Sequence, residues 1–396
     1  MILKNKHLTD VIHKEITFDD ENRWIYELVT APEFQRLSRI RQLGTSYRTF
    51  PCATHTRLAH SLGVYELTNQ FIKRLRSQGI ENKEFKPLLC AALLHDLGHG
   101  PNSHSFEAYT GISHEVYTKR IILDPKTQIN KVLRKNKVKP MDVVNILEGK
   151  SKTPWISSII ESQLDTDRMD YLLRDSFHTG AAYGHITISM ILNSLRIVNN
   201  KICFLKKGLE EIENMLLGRY HMHVNICNNK NGLAYESILK LMFERIKELY
   251  QQGYQFVDHF NLLSVIKPWL DNKEFTVNEF LKLDDNVFGT LVESMEYEKD
   301  PYIKGLLRAF YNHSYFEVKE IDYKTYKKAK VNDNEKYTKV ITSSACIKVY
   351  KNNHEPLYIF DENTNKLIEL SKISPVISKL KSLAHAKHYQ INIKLK

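Results

Sequence analysis

Cysteine is scarce in this chain. Cys52, Cys90, Cys203, Cys227 and Cys346 are odd in number, scattered, and form no Cys-x-x-Cys pair. That excludes a disulfide framework and a cysteine-based zinc knuckle, and it suits a reducing cytoplasm. No stretch approaches 18 consecutive apolar residues, so no membrane-spanning helix and no membrane partner are expected. The opening Met1-Ile2-Leu3-Lys4-Asn5-Lys6 lacks the apolar core of a secretory leader. Internal repeats and low-complexity linkers are also absent. Positive charge is not: the 396 residues carry a net +11. From Ile321 to Lys396 there are 15 Lys against 7 acidic residues, whereas the preceding 320 residues hold 42 basic and 39 acidic ones. The basic character therefore belongs to the C-terminal segment. Such a patch either meets nucleic acid, nucleotide or an acidic partner, or is simply a solvated lysine-rich surface.

Hydrophobic periodicity divides the chain into a large all-α part over 1–320 and a small basic α+β module over 321–396. A β-hairpin is expected within the first 30 residues. Pro32 starts a helical pattern that Gly44 stops, and His60 to Leu75 is a second amphipathic stretch. Pro87 to Leu97 reads as a buried helix, Val116 to Leu123 as a helix stopped by Pro125, and Trp155 to Phe177 as one long helical region. Ile188 to Leu195 precedes a hairpin around Asn199-Asn200. Gly208 to Tyr250 reads as one or two helices, and Val277 to Phe310 continues the pattern. Period-two alternation over Tyr337–Thr342 and Ile347–Tyr350 then signals strands. Leu357–Phe360 and Tyr389–Leu395 are further strands, with a helix from Ser374 to Leu383.

The most informative feature is His95-Asp96, in Leu93-Leu94-His95-Asp96-Leu97-Gly98-His99-Gly100 at the end of the apolar run. A carboxylate is costly to bury there unless a cation or donors offset it. A divalent metal does so by taking imidazole nitrogen and carboxylate oxygen directly. His60, 35 residues before His95, and Asp167, 71 residues after Asp96, complete a set of two histidines and two aspartates. Mixed nitrogen and oxygen donors suit one divalent transition metal (Mn, Fe, Zn or Ni) better than calcium. Magnesium enters only as the counter-ion of a nucleotide. Asp167, Tyr171 and Asp175 stand at i, i+4 and i+8, so they share one helix face, with Arg168 beside it. His99, His104 and His114 follow the His-Asp pair. A leaving group needs a proton, and histidine titrates near neutrality. His104 and His114, oriented by Glu107, are the candidate catalytic groups.

These runs carry a family resemblance. His60-Ser61-Leu62-Gly63-Val64, the segment from Leu93 to His104, and Asp165-Thr166-Asp167-Arg168-Met169-Asp170-Tyr171-Leu172-Leu173-Arg174-Asp175 resemble the HD-domain phosphohydrolases. The nearest likeness is to the deoxynucleoside triphosphate triphosphohydrolases. It extends to Pro32-Glu33-Phe34-Gln35-Arg36-Leu37 and Gln42-Leu43-Gly44, and to Pro356-Leu357-Tyr358-Ile359 and Ser374-Pro375-Val376-Ile377. The resemblance implies a mainly α fold: an HD-domain helical core, with its motif region at about 55–180, followed by the small C-terminal α+β module. It implies a metal held by His60, His95, Asp96 and Asp167, and hydrolysis at the α-phosphate releasing deoxynucleoside and triphosphate. It implies that His104 and His114 are catalytic, and that Gln42, Leu43, Tyr171 and Asp175 hold the deoxyribose. Arg57, Arg168 and Arg219 then face the phosphates, with His99 and His223 in the same substrate-binding group. It also implies a homo-dimer or homo-tetramer.

Two departures stand out. Where the family usually has a tyrosine eight residues after the arginine of its substrate helix, followed shortly by His-Lys, this chain has Cys227 and Asn229-Lys230. Positions that read guanine in the animal enzyme's activator site are Thr30 and Ser38, although Lys6 and Gln35 match. Threonine cannot accept from a guanine edge in the bidentate way a carboxylate can, so guanine-nucleotide activation of that kind is not expected. Three readings remain. One is a metal-dependent phosphohydrolase cleaving deoxynucleoside triphosphates. Another is the same chemistry on a different nucleotide or phosphorylated metabolite. The third is a nucleotide- or nucleic-acid-binding protein with weak hydrolysis.

Overall fold

The computed structural model describes residues 6–329, 338–351, 356–380 and 384–395. Its centre is the helix Phe85–Leu94, buried along its whole length except at Lys86. A helix apolar on all sides must be surrounded by other elements. It lies between the helices Arg57–Arg76 and Pro140–Leu147, so the His95-Asp96 pair that follows it emerges at the centre of the molecule. The Arg57–Arg76 helix starts where the Thr56 hydroxyl accepts from the Ala59 amide, which sets His60 in its first turn. The fold is mainly α, and no helix among the described residues is long and apolar enough to cross a membrane.

Among the described residues, strands occur in three small sheets. β1 (Lys6–Asp10) and β2 (Lys14–Phe18) form the expected N-terminal hairpin, with Leu8 opposite Ile16. β3 (Leu195–Val198) and β4 (Lys201–Leu205) form the second hairpin, whose turn residues Asn199 and Asn200 take φ of 50° and 58°. Asparagine tolerates this left-handed region well, which fits a tight two-residue turn. β5 (Phe316–Ile321), β6 (Thr338–Lys348) and β9 (Ala384–Lys394) make a three-stranded sheet with β9 in the middle. β7 (Tyr358–Asp361) and β8 (Lys366–Glu369) extend the β3–β4 hairpin: β4 and β7 pair in parallel, Phe204 opposite Ile359. The C-terminal strands are thus hydrogen-bonded into the helical part, and β5 runs across residue 320. Tyr337 and residues 381–383 lie outside the described residues; the helix expected there is seen at Pro375–Leu380.

Two expected helices are broken, each for a local reason, and two further helical stretches are divided. The Pro32–Leu43 pattern is a single α-turn, Pro32–Gln35, that tightens into a 3₁₀ turn at Arg36–Arg39 and becomes extended at Ile40. Arg36 is the cause: its guanidinium is buried and donates to the carbonyls of Leu283, Leu97 and His99. The Trp155–Phe177 region is two helices, Pro154–Ser157 and Thr166–Thr179. Asp165 separates them, extended at ψ 171°, and its carboxylate accepts from the amides of Ser162 and Arg168. Gly208–Tyr250 is two helices, Leu209–Met222 and Lys230–Gln251, joined by a π-helical turn at His223–Cys227. Val277–Phe310 is three: Val277–Phe280, Asp285–Ser294 and Pro301–Tyr311.

Candidate metal centre and active site

Three elements bring the proposed ligands together: the first turn of Arg57–Arg76, the residues after Leu94, and the first turn of Thr166–Thr179. One ligand atom each from His60, His95 and Asp167 lies within 4.8 Å of the others. His60 Nε2 is 3.0 Å from Asp167 Oδ1, 3.3 Å from His95 Nε2 and 3.7 Å from Asp96 Oδ2. Asp96 Oδ1 is 3.3 Å from His95 Nε2 and from His99 Nε2.

The tautomers test whether a metal fits. His95 Nδ1 lies 2.9 Å from the Ala92 carbonyl, which can only accept, so it carries the proton. His60 Nδ1 lies 2.8 Å from the carboxylate of Asp170, so it too donates. In their neutral forms both rings then aim an Nε2 lone pair into the same small space, beside two carboxylates. Positive charge reconciles that arrangement, supplied either by a second proton on His60, shared with Asp167 Oδ1 at 3.0 Å, or by a metal ion. Burial disfavours charge on His60, but Asp167 and Asp170 outweigh it and lift its pKa to about 10, a measure of how strongly this space attracts positive charge. Burial likewise works against a charged Asp96, yet Arg57, His95 and His99 hold it well below the usual carboxylate range. The donor set fits a divalent transition metal.

A second group adjoins the first. His99 and His114 stack at 3.9 Å between ring centres, and His104 stands edge-on to both. Glu107 accepts from the His114 amide at 2.7 Å and pairs with His114 Nδ1, and its other oxygen is 3.6 Å from His104 Nδ1. Burial raises the Glu107 pKa, but these histidines more than compensate and keep it ionised well below its ordinary range.

Both groups border one cavity of about 1450 Å³. Gln42, Leu43, Arg168, Tyr171, Asp175, His223 and Cys227 also line it. Tyr171 Oη is 3.2 Å from His223 Nε2, and burial together with Arg219 and Arg168 depresses the His223 pKa to about 4. Other expected phosphate and sugar positions have partners within the protein. Arg57 lines the cavity, but its guanidinium donates to Asp96 at 2.7 Å, to Ser103 Oγ and to the Gln42 carbonyl, so it braces the metal site. Asp175 accepts from His55 Nε2 at 2.7 Å. Arg219 does not line the cavity; it donates to the Val349 carbonyl at 2.9 Å. Sequence reasoning missed His55, Ser103 and the Asp170–Arg174 pair. The i, i+4 spacing of Asp170 and Arg174 was the available signal.

Residues 57–175, the segment holding all four proposed metal ligands, match the HD domain family. An uncharacterised protein of Mycoplasma genitalium is 36% identical over 396 residues, covering 95% of this chain and 92% of that protein. The crystal structure of a phosphohydrolase from Bacteroides thetaiotaomicron superposes with a TM-score of 0.83 at 26% identity, over 99% of this chain and 100% of that one. The chain belongs to the HD-domain phosphohydrolases. Within this family it is also similar to a Dictyostelium discoideum protein named a deoxynucleoside triphosphate triphosphohydrolase homologue, 26% identical over 319 residues, 76% of this chain and 56% of that one.

One glycine of the HD region shows how tightly the site is built. A Cβ on Gly63 would sit 1.8 Å from Asp170 Oδ1 and 2.5 Å from Arg174 Nη2. Gly63→Ala gains about 1 kcal/mol of helix propensity but must displace a buried ion pair, at a cost of about 3–5 kcal/mol. A net loss of roughly 2–4 kcal/mol is expected, read as a lower denaturation midpoint. An unchanged midpoint would show that Asp170 can move away freely.

Proposed function

We propose that this protein is a metal-dependent phosphohydrolase that cleaves deoxynucleoside triphosphates to deoxynucleoside and triphosphate. The observation that carries the reading is the pair of Nε2 atoms from His60 and His95, converging beside Asp96 and Asp167 at the wall of a cavity large enough to take a nucleotide. His60, His95, Asp96 and Asp167 would hold one divalent metal. When bound, such an ion lowers the pKa of water toward neutrality and polarises a phosphoryl oxygen. The chain's own groups supply the rest. Water attacks the α-phosphorus, the bond to the 5′-oxygen breaks, and that oxygen must take a proton. His114, paired with Glu107, and His104 beside it would deliver that proton. Arg168, which lines the cavity and is ion-paired with Asp165, would meet phosphate there. Tyr171 presents its ring to the sugar, where a 2′-hydroxyl would crowd it. The similarity to a protein named for this activity supports the substrate class.

Incubating Mn²⁺-loaded protein with each deoxynucleoside triphosphate should yield deoxynucleoside and tripolyphosphate in equal amounts on anion exchange. Release of pyrophosphate or orthophosphate alone would refute the substrate assignment. A second reading is hydrolysis of another nucleotide: Cys227, not tyrosine, stands at the cavity wall. Monophosphates and diphosphates in the same panel separate the two.

A further inference from the structure

The second ring nitrogen of His60 leads out of the cavity to a part of the chain that no motif connects with it. Asp170 is completely buried, and four donors converge on its two oxygens. His60 Nδ1 at 2.8 Å and Arg174 Nε at 2.9 Å reach Oδ2; Arg174 Nη2 at 2.9 Å and His13 Nε2 at 2.6 Å reach Oδ1. His13 belongs to the turn of the β1–β2 hairpin. The last residue of β1 is Asp10, whose carboxylate accepts from Arg174 Nη1 at 2.8 Å and from the amides of Ile12 and His13 at 2.9 Å each. The hairpin tip and the helix Thr166–Thr179 therefore share one buried network of two carboxylates, one guanidinium and two imidazoles. Residues 10–13 are about 160 positions from Asp170 in the chain, yet nothing intervenes between them and the proposed ligand except that carboxylate.

We propose that the tip of the N-terminal hairpin is part of the metal centre. Asp10 and His13 are positioning residues: they hold Asp170 and Arg174, which fix the proton on His60 Nδ1 and aim its Nε2 at the ion. Metal retention then depends on the hairpin being docked. The inference rests on the metal-site reading above and extends it to a segment outside the matched HD domain. The physical ground is general: the partner of a ligating imidazole sets its tautomer and orientation, and loss of such a partner typically weakens metal binding 10- to 100-fold. Here the partner is itself immobilised from one side by Arg174 and from the other by the hairpin. Without His13, Asp170 Oδ1 loses its shortest hydrogen bond in a site closed to water. Without the charge of Asp10, Arg174 is free to draw Asp170 away from His60.

The test uses the full chain. Wild type, His13→Ala, Asp10→Asn, His13→Gln and Val11→Ala are titrated with Mn²⁺ after chelator treatment, free Mn²⁺ is followed by electron paramagnetic resonance, and folding is checked by circular dichroism. Val11 is an exposed residue of the same turn. His13→Ala and Asp10→Asn should weaken Mn²⁺ binding 10- to 100-fold. His13→Gln, whose amide can donate to Asp170, and Val11→Ala should bind as wild type does. A folded His13→Ala with wild-type Mn²⁺ affinity overturns the proposal, since a merely structural hairpin would alter stability alone. Should His13→Ala not fold, His13→Leu against His13→Gln makes the same comparison at similar volume, and equal affinities overturn it. A wild type that binds no Mn²⁺ or other divalent transition metal is a different result, and defeats the metal-site reading on which this one stands.

Discussion

Asp96→Ala should leave purification without metal and without measurable hydrolysis, and it should also be less stable. The two losses have separate causes. Alanine deletes the carboxylate that stands between His60 and His95 on one side and His99 on the other. It also strands Arg57, a buried guanidinium whose charge is matched by Asp96 at 2.7 Å. Removing one partner of a buried pair costs about 3–5 kcal/mol, because the surviving charge stays desolvated. The remaining partners of Arg57, Ser103 Oγ and the Gln42 carbonyl, are neutral and soften that cost without cancelling it. Elemental analysis and thermal unfolding of the same preparation read both effects. Normal metal content in the variant would remove Asp96 from the ligand set, and an unchanged unfolding midpoint would show that Arg57 does not need it.

His114→Ala should do the opposite: keep the metal and lose the chemistry. The His114 ring is held by Glu107 and stacked on His99, so its position is fixed without contact to His60 or Asp167. A positioned general acid contributes typically 10²–10⁴-fold to rate, and kcat should fall by about that factor while bound metal stays at the wild-type level. Imidazole added to the buffer should recover part of the loss, since the vacated space adjoins the cavity. If metal content falls together with kcat, the group formed by His99, His104, Glu107 and His114 is binding an ion, and the proton-transfer role is wrong.

The order in which these features could be read has a physical explanation. His95 and Asp96 stood out because an apolar helix ended in two polar residues, a cost that demands a partner. His60 followed because it stands at the head of an amphipathic stretch, and Asp167 because it shares a helix face with Tyr171 and Asp175. Their convergence is what the structure adds. Asp170 was harder to recognise, because an aspartate one turn after Asp167 reads as ordinary helix surface until His60 is seen on its other side. His13 was illegible altogether: its partner is 157 residues away, and nothing in a hairpin turn announces a long-range contact. The helix breaks were missed for a related reason. Periodicity reports which face is apolar, but at Arg36 and Asp165 a buried side chain takes backbone groups and stops the helix from within. Arg219 shows what a resemblance leaves out: the residue type matches a phosphate position, and the Val349 carbonyl that accepts from its Nη2 lies 130 residues away.

The parallel pairing of β4 with β7 bears on how the chain is made. About 150 residues separate Phe204 from its partner Ile359, so on the ribosome the β3–β4 hairpin emerges long before the strand that covers it. During that interval β4 presents an uncapped edge with the apolar sequence Ile202-Cys203-Phe204-Leu205, the kind of edge that recruits other chains. Synthesis halted near residue 320 would leave that edge open permanently. The helical part expressed alone should therefore self-associate through β4, and a shortened protein would be a poor vehicle for studying this site.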